Sequence, residues 1–151
     1  VTQFARESVE QVVEEIQPLL TEHWAEIAQY PDIALNPDFA YYRAAEAAGQ
    51  LRIYTARHSS HALIGYAIYL LAPALHYQQS LQAKQDVLYI SEPHRLGRVG
   101  WRLIQFADEQ LKATGVQLVY QHQKVAHPAL GRVLERLGYV QSDVLWARRL
   151  D

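Results

Sequence analysis

A chain of 151 residues, half of them hydrophobic and 20% charged, carries enough apolar surface for one packed core, which excludes a disordered tail or low-complexity linker. Its net charge of −2 excludes a molecule that is basic overall, and the lack of cysteine excludes disulfides, thiol nucleophiles and cysteine metal sites. Charge is unevenly spread: residues 1–50 hold nine acidic and two basic side chains, and residues 92–151 hold nine basic and six acidic ones, which fits an anionic ligand on the second half and either a cationic acceptor or a solvated helix surface on the first.

Apolar residues from Val9 through Ile27 recur at helical spacing, and Pro18 divides them, predicting helices over 4–17 and 18–29. Pro31 to Pro37 reads as a connector, after which Asp38 caps a third helix that Gly49 ends. Leu51 to Arg57 and Leu63 to Leu71 read as a hairpin of two strands around a turn at His58–His61. Residues 76–84 are polar and fit a loop with a short strand extension, with a third strand at Gln85 to Ile90. A long amphipathic helix over Val99 to Thr114 stops at Gly115. A fourth strand (Val116 to Gln121), a helix (Pro128 to Leu137, closed by Gly138) and a last strand (Tyr139 to Arg148) complete the order. Helices first, then an antiparallel meander, then βαβ crossovers predict a mixed sheet with helices on both faces.

No stretch reads as a signal peptide, and the longest apolar run, 63–75, is interrupted by Gly65 and Pro73 and is too short to span a membrane. The cytoplasm is the expected location, and Val1 in place of methionine implies a trimmed start.

The most informative segment is Glu92-Pro93-His94-Arg95-Leu96-Gly97-Arg98-Val99-Gly100-Trp101-Arg102, a short basic loop between strand and helix. Such a loop aims several backbone N–H groups at one point, where the positive end of the helix dipole adds to them. Arg95, Arg98 and Arg102 crowd the same place, so the expected guest carries phosphate; an ordinary βα turn with a solvated rim is the alternative.

Arg95-Leu96-Gly97-Arg98-Val99-Gly100 resembles the Arg/Gln-x-x-Gly-x-Gly/Ala loop of the GCN5-related N-acetyltransferase (GNAT) superfamily, with Arg98 where the middle glycine stands. Val133-Leu134-Glu135-Arg136-Leu137-Gly138-Tyr139 resembles that family's Leu-Tyr-Glu-Lys-Leu-Gly-Phe signature. The wider pattern covers nearly the whole chain and is similar to small members encoded by phages and prophages. The resemblance implies one acyltransferase domain over 1–151, an α/β (α+β mixed) fold, and a mostly antiparallel sheet whose one parallel pair splays open for acyl-CoA. It implies transfer of an acyl group from acetyl-CoA to an amine of a small molecule or protein, by direct attack in a ternary complex in the cytoplasm of a bacterial host. A homodimer is compatible with it. A non-catalytic module that keeps the fold to bind acyl-CoA or a host protein is the alternative, and neither nucleic acid nor membrane is an expected partner.

Carried over by position, the pantetheine arm would pair with Leu88, Tyr89 and Ile90, and the pyrophosphate would meet Arg95, Leu96, Gly97, Arg98, Val99 and Gly100. His127 aligns with an asparagine often found there. The tyrosine acid of many members is replaced by Leu134, leaving solvent, or Tyr77 or Tyr89 as the nearest tyrosines, to protonate the thiolate. Asp86 is the preferred base, because a carboxylate in an apolar strand is costly unless partnered; a structural Asp held by backbone or arginine is the competing reading. Glu92 is a weaker rival. His76 and His94 are placed beside the cleft, His76 with a substrate contact, and His23 could line the acceptor pocket. The acceptor pocket is expected from 18–50 and 72–84, with Tyr30, Tyr41, Tyr42, His76 and Tyr77 in it. Trp101 reads as packing. No metal site is expected, since the spacing of His23, His76 and His127 is arbitrary.

Overall fold

The computed structural model describes residues 1–151. The chain starts with a strand, β1 (Gln3–Glu7), where helical periodicity alone predicted helix from residue 4. Ser8 then begins helix α1 (Val9–Ile27) through a capping box, its hydroxyl accepting from Gln11 N–H and the Gln11 side chain accepting from Ser8 N–H. Glu7 is fixed by Arg57 and by the Thr55 hydroxyl on the neighbouring strand, which favours an extended conformation before the cap.

Pro18 does not divide α1. It lies on the exposed side of one continuous helix, where the carbonyl it leaves unpaired can be hydrated, so the predicted break at 17/18 is replaced by an uninterrupted run. Helix α2 (Phe39–Ala47) follows, with the Asp38 carboxylate accepting from Tyr41 N–H at 2.9 Å and Gly49 at φ 73° turning the chain into the sheet.

The sheet continues as β2 (Leu51–Arg57), β3 (Leu63–Ala74) and β4 (Tyr77–Ile90). The polar stretch 76–84 is therefore strand for most of its length. Exposed Gln78 and Gln79 and half-buried Ser80 stand on β4 there because it forms a long, partly solvated hairpin with β3. Helix α3 (Val99–Thr114) crosses to β5 (Leu118–Tyr120), and α4 (Ala129–Arg136) follows. Strand order is β1-β2-β3-β4-β5, antiparallel except for the parallel β4–β5 pair. The predicted last strand, Tyr139 to Arg148, is absent: these residues have no regular structure and the tail lies exposed.

Side chains alternate through the sheet into two cores. Val9, Val12, Ile16 and Leu20 of α1 and Ala45 of α2 pack on Leu51, Ile53, Tyr66, Ile68 and Tyr89. On the other face Leu103, Ala107 and Leu111 of α3 pack on Tyr54, Ala67, Tyr69 and Ala83. With both faces covered, the central strands read as continuous apolar runs. No helix is long and apolar enough to cross a membrane.

Candidate active site

Strands β4 and β5 pair only through Gln82–Leu118, Ala83–Val119 and Lys84–Tyr120, and then part. The fork is held by Gln85, whose buried side-chain oxygen accepts from His122 N–H at 2.8 Å where a strand-to-strand bond would otherwise continue. One residue later β4 bulges: Tyr69 pairs with Gln85 and Ile68 with Val87, so Asp86 is the extra residue. Beyond the bulge the edge of β4 is open. Ser91 N–H donates to Ile64 at 2.8 Å, and the register Tyr66–Tyr89 keeps that alternation. Tyr89 therefore turns its backbone groups to β3, while Leu88 and Ile90 turn theirs to the open side.

At the end of this edge Ser91 leads into a 3-10 turn (Glu92–His94), and α3 begins after Arg98. The backbone N–H groups of residues 96–101 have no hydrogen-bond partner within the protein. No side chain caps α3, and the first helical donor is Arg102, to Arg98 O at 2.9 Å. Six consecutive free donors at a helix start make an anion cradle. Arg98, standing where a glycine was expected, has φ −98° and ψ 17°, a conformation any residue adopts, so the loop keeps its shape without glycine there. Gly100 matters little sterically, because a Cβ there would meet only Ile90 Cγ1 at 3.6 Å.

The three arginines do not converge. Arg95 turns back, donating to Ile90 O at 2.7 Å and to Glu26 of α1 at 2.8 Å, with its guanidinium over the Tyr89 ring. Arg102 lies over Phe4 and Arg98 over Trp101, leaving Arg98 beside the cradle without a carboxylate. Carboxylates on α1, absent from a local reading of the loop, redirect Arg95.

On the α1 side of the fork lies a cleft of about 260 Å³, lined by His23, Trp24, Ile27, Leu35, Asp86 and Lys124 among others. A second hollow of about 360 Å³ shares Leu20, Trp24, Leu35 and Val87 with it and reaches Ile33 and Tyr42. Burial raises the Asp86 carboxyl above its ordinary value, opposed by nearby His122, although the side chain still reaches solvent at the cleft. Burial lowers the His23 imidazole; Arg95, Lys124 and His127 act in the same direction and Glu26 against it. A carboxyl shifted up and an imidazole shifted down by burial thus line one largely apolar recess.

Solved structures share this fold. A ribosomal-protein-alanine N-acetyltransferase from Brucella melitensis superposes with a TM-score of 0.76 over 100% of both chains at 14% identity. An aminoglycoside acetyltransferase from an uncultured soil metagenomic sample gives 0.77 at 12% identity, covering 99% of this chain and 97% of its own. A Trypanosoma brucei acetyltransferase gives 0.74 at 14% identity over 99% and 100%. The fold is that of the GCN5-related N-acetyltransferases. No protein-family model and no curated protein matches the sequence.

Within this GNAT fold the expected site residues separate into two groups. Asp86, Leu88, Ile90 and residues 95–100 border the fork, and Tyr89 lies beside it with its side chain in the core, its hydroxyl donating to Glu22 at 2.7 Å. Burial pushes that hydroxyl up to about 12, followed by its bond to Glu22, so Tyr89 is a poor proton donor. His76 and Tyr77 sit instead at the far tip of the β3–β4 hairpin. Tyr77 is nine residues before Asp86 on one strand, roughly 30 Å away, because the segment expected to fold back as a loop is extended. The two hollows are accordingly lined by α1, the 28–37 connector, Tyr42, Asp86, Val87 and Lys124, without any part of 72–84.

Tyr42 lines the second hollow, Tyr30 stacks under Arg149, and Tyr41 is exposed. His94 bonds Ser91 at 2.9 Å and lies beside His58, and Glu92 stands exposed in the turn. His127 is exposed on the 121–128 segment. Leu134 is buried in α4, and the neighbouring Tyr139 hydroxyl donates to Asp108 at 2.6 Å. Trp24 and Lys124 were missed. Trp24 was legible only as part of a helical stripe, and nothing local marks Lys124.

Proposed function

We propose that this chain transfers an acyl group from acetyl-CoA to a primary amine. The observation that carries the reading is the continuity of three features: the open edge at Leu88 and Ile90, the unpartnered amides of 96–101, and the Asp86 cleft beside them. The pyrophosphate would take the amides of 96–101 with Arg98 at its flank, and the pantetheine amides would bond Leu88 and the Ile90 N–H as an added strand. The thioester then arrives next to the bulge.

The acceptor lies in the cleft against Trp24, Ile27 and Leu35, an apolar body with its amine toward Asp86. The amine nitrogen attacks the thioester carbon, forming the C–N bond, while the Leu88 N–H, the open-edge donor nearer the bulge, stabilises the oxyanion. Asp86 removes the ammonium proton directly or through water, with His23 as an alternative relay, and the C–S bond breaks. Solvent protonates the departing thiolate, since Leu134 has no proton to give.

The test pairs calorimetric binding of acetyl-CoA with thiol release against a panel of amines carrying apolar bodies. Saturable binding with thiol release that falls in Asp86→Asn supports the reading. Binding without thiol release from any amine contradicts the transferase, and no binding contradicts the cradle as well.

A further inference from the structure

Lys124 is the only ammonium among the residues lining the cleft, and the acyl transfer described above gives it no task. It has no carboxylate partner, whereas Arg95 is matched to Glu26 and Arg149 to Asp32 and Asp151. Its backbone is pinned from several sides. Just before it, the His122 N–H donates to the Gln85 side chain at 2.8 Å and the Gln121 side chain donates to the Tyr69 hydroxyl at 2.7 Å. Just after it, the His127 N–H donates to the Lys124 carbonyl at 2.9 Å, closing a turn. Gln123 lies so close to α4 that a Cβ on Gly131 would meet its side-chain oxygen at 2.2 Å. A lysine mounted on such a turn is a placed charge, and the lowered imidazole of His23 in the same cleft already feels it.

The cleft therefore presents one carboxylate, Asp86, and one ammonium, Lys124, beside a largely apolar wall. An acceptor carrying only an ammonium would meet Lys124 as a like charge, and a polyamine would meet it with several. A zwitterion satisfies both groups at once. Size points the same way: about 260 Å³ in the cleft and 360 Å³ in the adjoining hollow lie at the small end of the roughly 300–1,000 Å³ usual for ligand pockets. Because the hollow shares Leu20, Trp24, Leu35 and Val87 with the cleft, an apolar group leaving one enters the other without crossing a polar rim.

We propose that the acceptor is a free α-amino acid with a large apolar side chain, its ammonium at Asp86, its carboxylate on Lys124 and its side chain against Trp24 and Leu35. This rests on the acyl transfer inferred above and names the acceptor for it. The amine gives up a proton and forms the C–N bond to the acyl carbon, the C–S bond breaks and the thiolate takes a proton. The products are the N-acetyl amino acid and CoA. A peptide fits less well, because its N-terminal residue carries an amide where Lys124 calls for a carboxylate.

Thiol release under saturating acetyl-CoA is compared for phenylalanine, phenylalanine amide, phenethylamine, glycine and spermidine, each at the same concentration of free amine. Phenylalanine should exceed each of the other four in kcat/KM by about tenfold or more. Lys124→Ala, an exposed position, should shrink the advantage over the amide and phenethylamine to within about threefold, and Lys124→Glu should invert it. Calorimetry of phenylalanine with the CoA-saturated protein reads the site without turnover: saturable binding should weaken about tenfold in Lys124→Ala. Turnover of these amines without preference for phenylalanine, or a preference that Lys124→Ala leaves intact, would overturn the proposal and leave the transferase standing. Phenylalanine binding that ignores Lys124, or no binding at all, would overturn it whether or not any amine turns over. Lys124-dependent binding with no thiol release from any amine would support the zwitterion site and count against the transferase alone.

Discussion

Asp86 occupies a bulge where β4 passes from its polar first half into the apolar run Val87–Ile90, and burial raises its carboxyl above the usual carboxylate value. A carboxyl raised by folding means the folded state holds its proton more tightly than the unfolded one. Its contribution is therefore present below the unfolded value and lost as pH rises through the folded one. Asp86→Asn should accordingly lower kcat/KM by about 10²–10⁴-fold while raising the midpoint of thermal unfolding at neutral pH, with the stability gain vanishing in acid. His23 runs the other way. Its imidazole is lowered from 6.5, so the unfolded chain binds more protons in acid, and the stability present above 6.5 is lost as pH falls. In His23→Gln the unfolding midpoint should fall less than the parent's between pH 7 and pH 5. The arginines divide by their partners. Arg98→Ala should weaken CoA binding about tenfold and flatten its salt dependence, because Arg98 is the loop cation without a carboxylate. Arg95→Ala, which cuts the ties to Glu26 and Ile90, should mainly lower thermal stability.

Among the elements, α2, β2 and α3 were legible because each carries its own punctuation: Asp38 and Gly49 around α2, Gly115 after α3. β1 was not read, although Ser8 and Gln11 spell a capping box that places the helix start at residue 9. The Pro18 break failed because the cost of proline depends on which face of the helix it takes, and that is a tertiary property. Some cost remains, so Pro18→Ala should stabilise the chain by up to ~3 kcal/mol in urea unfolding. The sheet makes its sharpest demand at Gly65, where a Cβ would sit 2.4 Å from Ile90 Cδ1 and 2.9 Å from Tyr89 O. Ile90 can turn aside, but a backbone carbonyl cannot. Gly65→Ala should cost about 1–3 kcal/mol and weaken CoA binding by displacing the end of β4. An acid at the start of the apolar run Val87–Ile90 drew notice to Asp86, which lines the cleft; the distance of Tyr77 from it was not legible, because distance along a strand is invisible until the strand's length is known.

The whole molecule is a sheet covered on both faces and opened at one place. The opening is built from a side-chain amide at Gln85 that replaces a ladder bond, a one-residue bulge at Asp86, and a helix start whose amides have nowhere to bond within the chain. Each is costly for stability alone, and together they point at the same volume. The most direct test is titration of the ¹⁵N-labelled protein with CoA, following every backbone amide. The account predicts saturable 1:1 binding with the largest shifts at residues 96–101 and at Leu88 and Ile90. Saturation without movement of those amides, or no saturation at all, would contradict it.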